Sequence, residues 1–179
     1  MYRNFNNYEI KGRRIKTTRF SLYDVISIIV YILLIVFIAY KGVYKSSSES
    51  TGKWLIAYSF GTPLFLYIVN YKSLRNIRIY LIWITISIFH LVLYNKLQGF
   101  ESLSTHGGHS ANGLQYTIVY LILWQLLRVI YYKITKMELV APMRGSYYDY
   151  FDCRKLSILD YTAFIIYMGV FIFLTVNCI

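Results

Sequence analysis

Val25-Ile26-Ser27-Ile28-Ile29-Val30-Tyr31-Ile32-Leu33-Leu34-Ile35-Val36-Phe37-Ile38-Ala39-Tyr40-Lys41-Gly42-Val43 carries one charge, Lys41, close to its end. A bilayer core about 30 Å thick takes roughly 20 apolar residues at 1.5 Å of rise each. The run matches that length. It starts only after a polar, basic stretch, and no small-x-small cleavage site follows it. It therefore reads as a membrane helix and not as a cleavable signal.

Working outward, four more apolar runs approach the same length: about Trp54–Asn70, Ile77–Tyr94, Leu114–Tyr132 and Ile158–Val176. The composition agrees. Of 179 residues, 57% are apolar and 15% charged, against roughly 45–50% and 25% in an ordinary soluble domain. A soluble chain this short has too little interior to hide that much apolar surface, and clustered apolar runs exclude disorder. The expected fold is an all-α integral membrane protein. A basic tail over 1–24 precedes one helical membrane domain over 25–179, a bundle of about five spans.

The second run is the weakest of the five. Gly61 and Pro63 fall near its middle, and proline removes an amide donor and kinks a helix. A kinked span is the expectation; a re-entrant segment is the alternative.

Charge sets the orientation. Lys and Arg exceed Asp and Glu by 19 to 8, a net charge of +11. In a soluble protein this excess would suggest nucleic acid. In a membrane protein it follows from cations collecting in cytoplasmic loops, so no direct nucleic-acid partner is expected. On alternating sides, one face collects the tail cations, Lys72, Arg75, Arg78, Arg128, Lys133, Lys136, Arg144, Arg154 and Lys155. The other collects Lys41, Lys45, Lys53 and Lys96. The asymmetry predicts a cytoplasmic N-terminus, an outside C-terminus and an odd number of spans. Cys153 and Cys178 form no CxxC, which leaves no redox or zinc-ribbon motif. Tyrosine is the compositional outlier, 20 residues. Those near segment ends form an aromatic belt. Tyr31, Tyr58, Tyr120 and Tyr167 lie deeper, where their hydroxyls need partners.

Polar residues inside the spans are the first candidates for function, because burying them costs several kcal/mol. His90 lies about 20 Å along the third helix from its cytoplasmic end, and Gln125 about 16 Å along the fourth from its outer end. Both fall in the middle third, a depth at which they could face each other. Arg128 lies one turn nearer the cytoplasm and can snorkel. Interhelical packing is the first reading of these three; a proton or solute path is the second. In the 96–113 loop, His106 and His109 have a spacing that can converge on a metal ion or sense outside pH. The bland reading is a polar, flexible loop. Asp149, Asp152 and Arg154 could hold a lipid phosphate with a divalent cation, but their aromatic neighbours read as an interfacial segment. Asp24 and Asp160 begin helices one and five, where carboxylates act as caps. In the tail, Lys11, Arg13, Arg14, Lys16 and Arg19 suit anionic headgroups or a cytosolic protein.

No phosphate loop, nucleophile elbow or HExxH helix is present, so no cofactor is expected and enzymology is not the leading reading. The residues carry no resemblance to a known family. The preferred expectation is a non-enzymatic, homo-oligomeric inner-membrane subunit of a bacterium, channel-like or membrane-sensing, suited to a stress or anti-phage module. The competitors are a membrane enzyme acting on a lipid or isoprenoid phosphate and a small-solute or proton carrier using His90.

Overall fold

The computed structural model describes residues 21–44, 49–105, 108–142, 148–149 and 154–176. Among the described residues five α-helices are found: α1 Leu22–Tyr44, α2 Glu49–Leu64, α3 Ile77–Leu97, α4 Thr117–Thr135 and α5 Ile158–Val176. The protein is all-α apart from two two-residue-strand hairpins. Strand β1 (Ser104–Thr105) pairs antiparallel with β2 (Gly108–His109), and β3 (Tyr148–Asp149) with β4 (Arg154–Lys155).

Four helical runs are long and apolar enough to cross a membrane: α1, α3, the run Asn112–Thr135 that contains α4, and α5. The α2 segment begins five residues before the expected Trp54 and takes in Glu49 and Lys53, which lower its apolarity. It continues without a break through a π-helical turn, Phe65–Val69. The segment therefore runs one way as a continuous helix rather than doubling back. Pro63 lies inside it, and the Tyr167 hydroxyl donates to the Pro63 carbonyl at 3.0 Å. This bond ties α5 to α2 at the proline; the carbonyl that the missing Pro63 amide leaves free is that of Ser59, one turn earlier.

Helix starts follow from local chemistry. In Ser21-x-x-Asp24 the Ser21 amide donates to Asp24 and the Asp24 amide donates to Ser21 Oγ. Ser157-x-x-Asp160 repeats the exchange. Both are capping boxes with Asp in the usual Glu place. The expected capping roles of Asp24 and Asp160 are therefore observed. At α3 the Asn76 side chain accepts from the Arg78 amide. Helix α4 ends at Lys136, whose φ of 57° is left-handed, a conformation that glycine adopts at less cost.

Two clusters make the core. One groups Ile38, Leu55, Leu93, Leu97, Ala111 and Leu114. The larger is built on Tyr31, Tyr67, Tyr71, Trp83, Trp124 and Tyr167. Successive helices enter these clusters from alternate ends, so α1 to α5 run up and down. We call the end holding Lys72, Arg75, Arg78, Arg128, Lys133, Lys136 and Lys155 the basic end. The stretch after α3, read as an open polar loop, instead packs down on the opposite end. There Leu103, Ser110, Ala111 and Leu114 are buried. A Cβ on Gly113 would lie 2.6 Å from Ser59 Cβ, so glycine permits a close approach of this cap to α2.

Candidate functional site

His90 is fully buried on α3. Its Nε2 lies 2.7 Å from the Tyr58 hydroxyl on α2, and its Nδ1 lies 3.0 Å from Thr117 Oγ1 at the start of α4. One ring thus ties three helices. Two proton arrangements satisfy the pair of bonds. In one, Tyr58 donates to Nε2 and Nδ1–H donates to Thr117; in the other both directions reverse. Thr62 Oγ1 donates to the Tyr58 carbonyl at 2.8 Å. The Tyr31 and Tyr58 rings are 6.0 Å apart.

His90 and Gln125 do not meet. Thr117 is level with His90, and Gln125 lies eight residues further along α4, about 12 Å nearer the basic end. There Gln125 Nε2 donates to the Leu74 carbonyl at 3.2 Å. Regular α-helix starts at Thr117 after a 3-10 turn, and that start already lies level with His90, seven residues inside the α3 end at Leu97. The rise of the two helices alone keeps these side chains apart.

Arg128 does not simply reach for water. Its Nε and Nη2 donate to the two Glu138 oxygens at 2.8 and 2.9 Å, a bidentate pair. Its Nη1 donates to the Arg75 carbonyl and to Gln125 Oε1. Arg75 Nη2 donates to the Leu139 carbonyl at 2.6 Å, and its Nε lies 3.9 Å from Glu138. The network joins the α2–α3 turn, the end of α4 and the chain leaving it. Burial alone would raise the Glu138 carboxyl. The hydrogen bonds from Arg128 and the charges of Arg128 and Arg75 outweigh that and hold it below the ordinary carboxylate range.

Asp160 is also fully buried. It accepts from the Val140 amide, the Ser157 amide and hydroxyl, and Tyr131. Asp24 accepts from Ser73 Oγ as well as from its own cap. Both carboxylates thus cap helices and pin neighbouring segments at the basic end.

His109 uses both ring nitrogens on backbone: Nε2 meets the Phe100 carbonyl at 3.3 Å, and Nδ1 accepts from the Ala111 amide at 3.2 Å. His106 lies outside the described residues, as do Lys11, Arg13, Arg14, Lys16, Arg19 and Asp152. Asp149 and Arg154 are direct strand partners across β3 and β4, which describes their backbone positions only. Among the described residues no group of three His, Cys, Asp or Glu could hold a metal ion.

Two contributors escaped the sequence reading. Glu138 had a signal: it is the lone acid between Glu101 and Asp149, ten residues after Arg128 in a basic stretch. Thr117 had none, since threonine at a helix start reads as ordinary. No family model, no curated protein and no solved structure matches the chain.

Proposed function

We propose that this is a non-enzymatic, multi-pass subunit of an oligomeric assembly in a bacterial inner membrane, channel-like or membrane-sensing. The observation that carries the reading is the filling of the bundle. Trp83, Trp124, Tyr67, Tyr71 and Tyr167 are each at most 1% exposed. Among the described residues these rings fill the middle of the bundle, and in this reading a path or a sensing surface forms between subunits. Helices α1 and α5 supply such surfaces, with Ile29, Leu33, Val36, Ile165, Ile172 and Phe173 all exposed.

In this reading α2 is a fifth span. The helical run from Glu49 to Val69 is about 31 Å long at 1.5 Å per residue, the thickness of the hydrocarbon core. The basic end faces the cytoplasm, where its cations meet anionic headgroups and a cytosolic protein partner. A stress or anti-phage module is the setting this build suits.

Native mass spectrometry from mild detergent tests the reading. Multiples of the 21.2 kDa chain, or a stoichiometric partner, are expected. A strict monomer with nothing bound refutes it. Cysteine-accessibility labelling of both termini should place them in different compartments; the same compartment refutes five spans.

A second reading draws on the Thr117–His90–Tyr58 chain, which can hand a proton along in either direction. It makes the protein a proton carrier, and it predicts a proton flux in proteoliposomes that His90→Phe removes.

A further inference from the structure

The cap at the end opposite the basic residues is held by a short run of bonds around one titratable side chain. His109 sits on β2 opposite Ser104. Ser110 donates to the Leu103 carbonyl through both its amide and its hydroxyl, at 3.0 and 2.8 Å. The Ala111 carbonyl accepts from the Leu114 amide at 3.0 Å, within the 3-10 turn Asn112–Tyr116. Leu103, Ala111 and Leu114 are buried in one cluster with Leu55 and Leu97. Thr117 follows the turn directly and meets His90 Nδ1 at 3.0 Å. The cap therefore leads straight into the His90 chain.

The bonds of His109 fix its proton. A backbone amide is always a donor, so Nδ1, which accepts from the Ala111 amide at 3.2 Å, carries no hydrogen. The ring proton is then on Nε2 and is donated to the Phe100 carbonyl at 3.3 Å. Only the neutral ring, in this one tautomer, makes both bonds. Ala111 has no exposed surface, so water does not reach its amide while the cap is closed. A second proton on the ring leaves the Phe100 bond in place and turns Nδ1 into a donor facing a donor. The Ala111 amide is then buried without an acceptor, a costly state. Loosening of the stretch after His109 relieves it by letting the amide reach water.

The elements around the ring bring few ionisable groups. Glu101 follows Phe100, Tyr94 and Lys96 end α3, Tyr116 ends the 3-10 turn, Glu49 and Lys53 begin α2, and Lys41 lies near the end of α1. His106 lies outside the described residues. Among the described residues no ion pair joins the ring to a carboxylate, so no fixed anion holds its cation in place. Histidine changes charge between about pH 5 and 8. We propose that His109 is a proton-operated latch. Neutral, it closes the cap; protonated, it loosens residues 110–117 and with them the Thr117 end of the His90 chain. The side of the membrane from which acid acts rests on the orientation proposed above. The latch itself does not, and it is tested in detergent, apart from orientation and assembly.

Hydrogen–deuterium exchange of the full chain, resolved by peptide and corrected for the intrinsic pH dependence of exchange, reads the latch. The chain has three histidines, and pH 5 lies above the ordinary carboxylate range. Peptides over 110–117 should exchange about tenfold faster at pH 5 than at pH 8, the scale of one orphaned buried amide, while α3 and the rest of α4 stay protected. His109→Asn keeps an acceptor oxygen for the amide two residues on and gains no proton, so it should stay slow at both pH values. His109→Leu should be fast at both. His106→Gln should behave as wild type. Three outcomes overturn the proposal. Equal protection of the wild type at both pH values means that the cap ignores the charge on the ring. An acid response that survives His109→Asn, or vanishes in His106→Gln, places the titrating group elsewhere. Acid-induced exchange spread evenly over all helices means global unfolding and no latch.

Discussion

Replacing Glu138 with alanine removes the single carboxylate between two guanidiniums. Arg128 would lose two charge-assisted hydrogen bonds, at 2.8 and 2.9 Å, and Arg75 a neighbouring charge at 3.9 Å. Breaking a fully buried ion pair costs about 3–5 kcal/mol, because a desolvated charge is left unanswered. Exposed pairs contribute only about 0–1 kcal/mol. Glu138 is 29% exposed, and the two arginines 14% and 13%. The cost therefore falls between these limits, at about 2–3 kcal/mol. SDS-driven unfolding in mixed micelles, followed by tryptophan fluorescence, measures it. Arg128→Met combined with Glu138→Ala should cost less than the sum of the singles, because both remove one pair. The pH dependence has a definite sign. The folded carboxyl is held below its unfolded value. Its contribution is present above the ordinary carboxylate range, near pH 4.3, and is lost as pH falls through the lower folded value. The margin of wild type over Glu138→Gln should shrink only in that acid window. A cost under about 0.5 kcal/mol at neutral pH would refute the reasoning, since Arg128 would then be snorkelling to water unaided.

His90→Phe fills the ring volume but leaves Tyr58 and Thr117 without their shared partner. Interhelical hydrogen bonds in membranes average about 0.6 kcal/mol, so the same titration should show a loss of about 1–2 kcal/mol. Gly113→Ala forces a Cβ against Ser59 at 2.6 Å; overpacking of this kind costs about 1–3 kcal/mol, and hydrogen exchange should rise first at the end of the bundle away from the basic residues. Lys136→Gly relieves a left-handed residue at the α4 terminus and should raise stability by about 1 kcal/mol. Asp160→Asn turns one of the two acceptor oxygens into a donor, facing either the Ser157 and Tyr131 donors or the Val140 amide; thermal unfolding should reveal a loss of about 2–4 kcal/mol.

Much of the scaffold could be read in advance because bilayer thickness converts run length directly into helix length. Ile77 and Ile158 start helices where the apolar runs start. The caps at Asp24 and Asp160 could be read because a capping box is local, closed within four residues. The second run was misjudged at its start, since Glu49 and Lys53 are polar yet helical. Residue depth was less legible. Helix α4 starts level with His90, seven residues inside the Leu97 end of α3, so every later α4 residue lies nearer the basic end, and such axial register is encoded by no single helix.

The class could be read from the residues alone: an all-α chain whose long apolar helices suit a membrane, with cations gathered at alternate segment ends and carboxylates at helix starts. These follow from solvent transfer and from contacts within one turn. Packing between helices settled that Arg128 finds Glu138 and that His90 joins Tyr58 to Thr117. Those partners are separated by 10 to 32 residues or lie on different helices. Their meeting depends on rotation and register between packed helices, which arise only when several faces are buried together.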